Sequence, residues 1–169
     1  MKNLKSVNSY HLSFNSYLIE PIEHGDKLYS RVYDKSGEVI VSRKPLYIVR
    51  KSCELMGTKY NAAREYSKKL LGDGKHKYPV IIAYDYGVPL VFFPILSPSS
   101  PNNIWIGLHS MINTIPSPTK DQITLVLKDD REITLQVPLA TFNFQYVRAS
   151  MLQKQASNQR LIIQNDLLL

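Results

Sequence analysis

A single cysteine in 169 residues, Cys53, excludes an internal disulfide. The fold must stand on packing alone, as expected in a reducing compartment. Long apolar runs are also missing. The greasiest stretch, Val88 to Leu96, is interrupted by Pro89 and Pro94 and is far too short to cross a bilayer. The segment from Met1 to Ser16 is polar and holds no apolar core of signal-peptide length. The expectation is a soluble, cytoplasmic protein that is not exported and makes no membrane contact.

Catalytic equipment is equally thin. There is no glycine-rich phosphate loop. His11, His24, His76 and His109 lack metal-ligand spacing, so no zinc site is expected. Asp129, Asp130 and Glu132 fall where a hairpin turns, and aspartate is common there for backbone reasons. Asp85 closes an apolar strand as a nuclease carboxylate would. The next strand, however, carries neither the second acid nor the lysine that a metal nuclease needs. Cys53 lies on the apolar stripe of a predicted helix and reads as a small core residue. These absences speak against an enzyme, a metal and a cofactor.

What the chain does have is localised charge. Of its formal charge of +7, all falls between residues 43 and 77. That stretch holds Arg43, Lys44, Arg50, Lys51, Lys59, Arg64, Lys68, Lys69, Lys75 and Lys77 against only Glu54, Glu65 and Asp73. The remainder has equal numbers of acids and bases. A charge kept only for solubility spreads over the surface. One concentrated in roughly a fifth of the chain is an electrostatic footprint for a polyanion. The ten basic residues are therefore the expected DNA-binding set. Tyr47, Tyr60, Tyr66 and Tyr78 are interleaved with them, where their hydroxyls could reach phosphates.

Periodicity places this stretch in an α+β chain. Alternating runs and turn signals over residues 16–42 predict a three-strand meander, turning at His24-Gly25-Asp26 and Asp34-Lys-Ser-Gly37. Pro45 opens and Gly57 closes a first helix, with Leu46, Val49, Cys53 and Met56 along its stripe. Thr58 is the expected cap of a second helix, which buries Tyr60, Ala63, Tyr66 or Ser67, and Leu70, and ends at Gly72. Asp73 to Lys77 reads as an exposed basic loop. Two apolar strands flanking Asp85-Tyr-Gly87 predict a hairpin at the centre of the core. Pro89 marks either the start of its strand or an edge at that point. A short strand around Trp105 is followed by an expected helical turn through Met111 and Ile112. An alternating hairpin then turns at Asp129-Asp130, and a helix starts near Leu139. The expected fold is a mixed or antiparallel sheet of hairpins with two short central basic helices and a C-terminal helix. Residues 1–15 read as a tail, 16–152 as the binding domain and 153–169 as a second tail. Leu167-Leu-Leu169 suggests a contact for oligomerisation or an adaptor.

Two segments carry more than composition. Lys44-Pro-Leu-Tyr-Ile-Val-Arg-Lys-Ser-Cys53, continuing through Gly57, Tyr60 and Arg64, resembles the central signature of the ComK family of competence transcription factors. Phe92-Phe-Pro-Ile-Leu-Ser97, with Pro101 and Trp105-Ile106, resembles that family's second signature, at matching spacing. The resemblance covers roughly residues 16 to 152. It implies an activator of DNA-uptake and recombination genes that binds pairs of A/T-rich boxes on double-stranded DNA, mainly through the minor groove and without a cofactor. It also implies homodimers that assemble into tetramers on DNA, and a MecA-type adaptor that delivers the protein to a Clp protease. The family's Phe-Met-Leu-containing adaptor segment has no clear counterpart at this C-terminus. Narrow A/T minor grooves deepen the negative potential that attracts arginine and lysine, which agrees with such binding. A major-groove helix-turn-helix built on the two basic helices would use the same side chains. Further alternatives are a nucleic-acid-processing enzyme and a module whose basic face meets an acidic protein.

Overall fold

Residues 16–41 fold as the predicted meander in a computed structural model that describes residues 5–72 and 77–168. Strands β1 (Ser16–His24), β2 (Lys27–Asp34) and β3 (Gly37–Val41) pair antiparallel, with Ile19 opposite Val32 and Val32 opposite Val39. Two helices follow, α1 (Pro45–Leu55) and α2 (Tyr60–Leu71). Gly57, at φ +84°, ends α1: its N–H donates to the Glu54 carbonyl and the Thr58 N–H to the Cys53 carbonyl. This paired arrangement closes a helix on a left-handed residue, the conformation glycine adopts without strain.

The chain then forms β4 (Val80–Asp85), β5 (Val88–Pro94) and β6 (Trp105–Gly107). A 3-10 turn over Leu108–Ser110 leads into β7 (Met111–Pro116), β8 (Ile123–Leu127) and β9 (Glu132–Leu135). Helix α3 (Leu139–Leu168) completes the described chain. The strands build a six-stranded sheet, ordered β3-β2-β1-β6-β5-β4, and a three-stranded sheet, β7-β8-β9. Every strand pair in both is antiparallel, so the α+β expectation holds with two sheets.

Alternation along β4 and β5 supplies two opposite faces to the large sheet. Val80, Ile82, Leu90 and Phe92 pack with Ile48, Val49, Cys53 and Ala63 of α1 and α2. Ile81, Val91 and Phe93 pack with Phe142, Ala149 and Leu152 of α3 and with Ile123 and Leu125 of the small sheet. The large sheet is thus a middle layer buried on both sides. Each fully buried phenylalanine there contributes roughly 1.5–3 kcal/mol by leaving water. Pro89 is tolerated because β5 has only just begun, and β6 pairs with it only from Phe92 onward.

Several expectations require correction. Met111 and Ile112 open strand β7, not a helical turn; the 3-10 turn stops at Ser110. Thr58 does not cap α2. Lys59 occupies the cap position and makes no side-chain cap bond. The buried stripe of α1 is Ile48, Val49, Ser52 and Cys53, with Met56 exposed. Ser52 is tolerated because its hydroxyl donates to the Ile48 carbonyl and accepts the Leu12 N–H. That second bond shows how the segment before β1 is held. Val7 bonds to Ile40 and Ser42 along β3, and Leu12 is buried, so this stretch is packed and not free. The hairpin does not sit at the middle of the sheet: β4 is an outer strand, β5 lies next to it, and β1 and β6 occupy the centre. Helix α3 runs without a break through residue 152. Lys75 and the rest of the expected loop at 73–76 lie outside the described residues, as do the side chains of Leu167, Leu168 and Leu169.

Candidate nucleic-acid interface

The link from β3 to α1 places the first basic residues at a concave surface. Ser42 to Lys44 lead into Pro45, whose ring suits the first helical position and has no N–H to satisfy. The first turns of α1 form one wall of a cleft of about 790 Å³. The second wall is the tip of the β1–β2 hairpin, Asp26 to Tyr29. The third comes from the loop after β5, with Pro98 to Pro101 and Asn103. Arg43, Lys44, Arg50 and Lys27 line this space, and Asp26 is the one acid among its described lining residues.

Aromatic rings hold several of these cations. The Arg43 guanidinium carbon lies 5.0 Å from the centroid of Tyr47, and the Lys51 ammonium 5.7 Å from the same ring. Arg50 lies 5.7 Å from Tyr60, which sits in turn edge-on to the buried Trp105 at 6.3 Å. A cation over a ring face is attracted by the ring's quadrupole and gives up part of its freedom. Burial pushes the Tyr60 hydroxyl above its ordinary pKa, so it remains protonated. Lys51 also pairs with Glu54 at 2.9 Å, an exposed bridge of small energetic weight.

Among the described residues, the other predicted cations do not line this cleft. Lys59 caps α2 in position only, and Lys68 and Lys69 are exposed in its last turn, where cations also favour the helix dipole. Arg64 is half-buried, 5.8 Å from the ring of Tyr78, and Arg148 of α3 lies 5.2 Å from that same ring. Lys77 is half-buried, and its carbonyl accepts the Gln145 side-chain amide at 2.9 Å. The nine described basic residues of this set therefore separate into the cleft group Arg43, Lys44 and Arg50, the neighbouring Lys51, and a more dispersed set on and beyond α2.

Sequence reasoning missed Lys27, Ser99, Ser100 and Asn103. Lys27 lies in the part of the chain with no net charge, and the other three are neutral loop residues. Folding alone brings these segments to α1. Cys53, by contrast, is a core residue as expected, and burial pushes its thiol up to about 11, which leaves it unreactive at neutral pH. Among the described residues, no group of three or more histidine, cysteine or acidic side chains could hold a metal ion, and no helix is long and apolar enough to cross a membrane.

Comparison with known proteins agrees with this placement of the signatures. The chain is 25% identical over 147 residues to the competence transcription factor of Bacillus subtilis (strain 168), covering 87% of this chain and 74% of that protein. No solved structure matches it. The sequence profile of the ComK protein family matches residues 7–161, a span that takes in the packed N-terminal segment, the cleft, both basic helices and most of α3, and the chain belongs to that family.

Proposed function

We propose that the protein is a DNA-binding transcriptional activator of competence genes, acting on the nucleoid in the cytoplasm. It holds paired A/T-rich boxes on duplex DNA mainly through the minor groove. The observation that carries this reading is the cleft at the start of α1. Four cations from two separate segments converge there against one acid, with two of them braced on tyrosine rings. A concave surface with cations on a hairpin tip and a helix start suits backbone and minor-groove contact, where charge and groove width are read more than base edges. The relative's role in competence is the second support.

Self-association belongs to the same reading. Helix α3 exposes Phe144, Val147 and Met151 on one stripe, and Leu161, Ile162 and Ile163 nearer its end. Apolar surface of this extent on a basic protein favours contact between copies, and two linked half-sites raise effective concentration on paired boxes. Delivery by a MecA-type adaptor to a Clp protease is a further part of the family's pattern. We assign the α3 surface first to a second copy of this chain.

A gel-shift series tests the proposal. Duplex with two A/T boxes on one face should bind more tightly than a single box, scrambled duplex, single strands or RNA. A chelator should change nothing. Inserting half a helical turn between the boxes should remove the advantage of the pair. Equal binding to boxed and scrambled duplex would overturn the sequence-specific reading.

A further inference from the structure

The start of α1 leaves more unfilled donors than a basic patch requires. Lys44 at the cap position makes no side-chain cap bond, and no acid lies in the first turn. The first intrahelical bond comes from the Ile48 N–H to the Lys44 carbonyl. The N–H groups of Leu46 and Tyr47 are therefore uncapped at the positive end of the helix dipole. A helix start alone is common. Here the opposite wall supplies an independent donor.

Asn103 lines the same cleft and is only 2% exposed. Its Oδ1 accepts the N–H groups of Ile95 at 3.1 Å and Leu96 at 2.8 Å. Those two bonds fix the amide orientation, because a flipped amide would set its NH₂ against two other donors. Nδ2 is then the buried group without a partner, and it can only donate. A buried unpaired donor is costly, so such a group calls for an acceptor. Ser100 stands beside it, its hydroxyl oxygen already accepting the Asn102 N–H at 3.3 Å, with its proton left to give. The unfilled groups thus have one character, all donors, with Arg43, Lys44 and Lys27 around them.

We propose that this cleft seats one phosphate group, between the α1 N-terminus and the Asn103 amide. Backbone N–H groups at a helix start and a fixed amide match the oxygens of a phosphate ester, and the cations neutralise its charge. The inference rests on the DNA-binding reading where the phosphate is a diester of the duplex. It would fix the register of the protein on the backbone while the remaining cations enter the groove. A free nucleotide offers the same chemistry, and the experiment separates the two sources.

The test is an amide chemical-shift titration of the full chain with inorganic phosphate, with a mononucleotide and with boxed duplex. Phosphate should move the Leu46 and Tyr47 amides and the Asn103 side-chain NH₂. Duplex should move the same three and displace phosphate from them. Asn103→Asp keeps the Oδ1 acceptor and turns the donor into a second oxygen, and should weaken phosphate and duplex binding tenfold or more. Lys44→Ser places a hydroxyl where it caps the free N–H groups. It should raise the melting temperature while lowering phosphate affinity, a combination that misfolding cannot produce. If phosphate moves none of the three signals, or if Asn103→Asp binds phosphate with parental affinity, the seat is overturned. If duplex binds but leaves Leu46 and Tyr47 unmoved, the seat is overturned and the DNA reading survives. If the mononucleotide moves them and no duplex binds, the phosphate seat stands and the DNA reading falls.

Discussion

Arg43 lies over the ring of Tyr47, four residues further along, with 5.0 Å between its guanidinium carbon and the ring centroid. Lys51 reaches the same ring from the next turn, at 5.7 Å. One aromatic side chain thereby holds two cations at the edge of the cleft without altering the charge. Tyr47→Leu should keep the fold and the net charge but release both cations. With about 0.5–1 kcal/mol for each exposed cation–π contact, duplex affinity should fall roughly fivefold to thirtyfold. The salt dependence, which reflects how many phosphates are neutralised, should stay as it is. Isothermal titration at several salt concentrations measures both.

Neutralising the cations themselves should behave differently. Changing Arg43, Lys44, Arg50 and Lys51 together to glutamine should weaken binding by orders of magnitude. It should also flatten the log–log salt slope by about 0.9 for each phosphate that the variant no longer neutralises. All four side chains are exposed, so unfolding by urea should be nearly unchanged. A folded quadruple variant with the parental slope would place the footprint elsewhere.

His109 makes stability depend on pH. Its ring lies among Phe14, Tyr17 and Phe92, and Nε2 is 2.9 Å from the Ser16 carbonyl, to which the neutral ring donates. Burial, and then the nearby Lys128 charge, push its pKa down to about 4 from an ordinary value of 6.5. The unfolded chain therefore takes up a proton between pH 6.5 and 4 that the folded protein refuses. Stability from this residue is full above pH 6.5 and falls as the pH drops towards 4, by roughly 2–3 kcal/mol. Urea unfolding at pH 7, 5.5 and 4.5 should show the loss, and His109→Gln should flatten that part of the profile.

The β4–β5 turn carries a local conflict. Tyr86, at φ +49°, is fully exposed, and Gly87 follows at φ +81°. A two-residue turn with both φ values positive favours asparagine before glycine, and a tyrosine there is strained with no burial to offset it. Tyr86→Asn should stabilise the protein by about 0.5–1 kcal/mol, read as a higher urea midpoint at an unchanged slope.

The same turn shows why the fold was largely legible. Val80 to Ile82 and Leu90 to Phe93 are apolar enough to declare a doubly buried hairpin, and Gly87 marks its turn. Strand β7 was not legible, because Met111-Ile-Asn113 suits a helix as well as a strand and its pairing with β8 is shifted at that point. The packing of residues before β1 was hidden too. It rests on the buried Leu12, on backbone bonds from Val7 to Ile40 and Ser42, and on a hydroxyl forty residues away at Ser52. For the site, Arg43, Lys44 and Arg50 were visible as charge. Lys27 and Asn103 were not, since only the pairing of β1 with β2 and the return of the loop after β5 bring them to α1. Charge clusters can be counted along a chain, whereas donor geometry exists only after folding.

Groove choice is where the two readings of the basic helices differ most. A major-groove reader would present the outer face of α2 to base edges, and that face begins with Asn61, Ala62 and Glu65. Recognition helices read bases mainly from their N-terminal residues. There α2 offers one amide and an acid that a nucleic acid would repel, while Lys68 and Lys69 come only in its last turn. The cleft at α1 instead gathers its cations around a hairpin tip and a loop, which suits a narrow groove and its flanking phosphates. Distamycin, which fills A/T minor grooves, should therefore displace the protein from its boxes. Replacing A·T by I·C pairs keeps much of the minor-groove edge and changes the major-groove edge, and should be tolerated within a few-fold. Lys27→Gln, at the hairpin tip, should cost more affinity than Lys68→Gln on α2. Indifference to distamycin together with loss of binding on I·C duplex would reassign the contact to α2 and the major groove. In that case Arg64 and Lys68 should become the costliest substitutions.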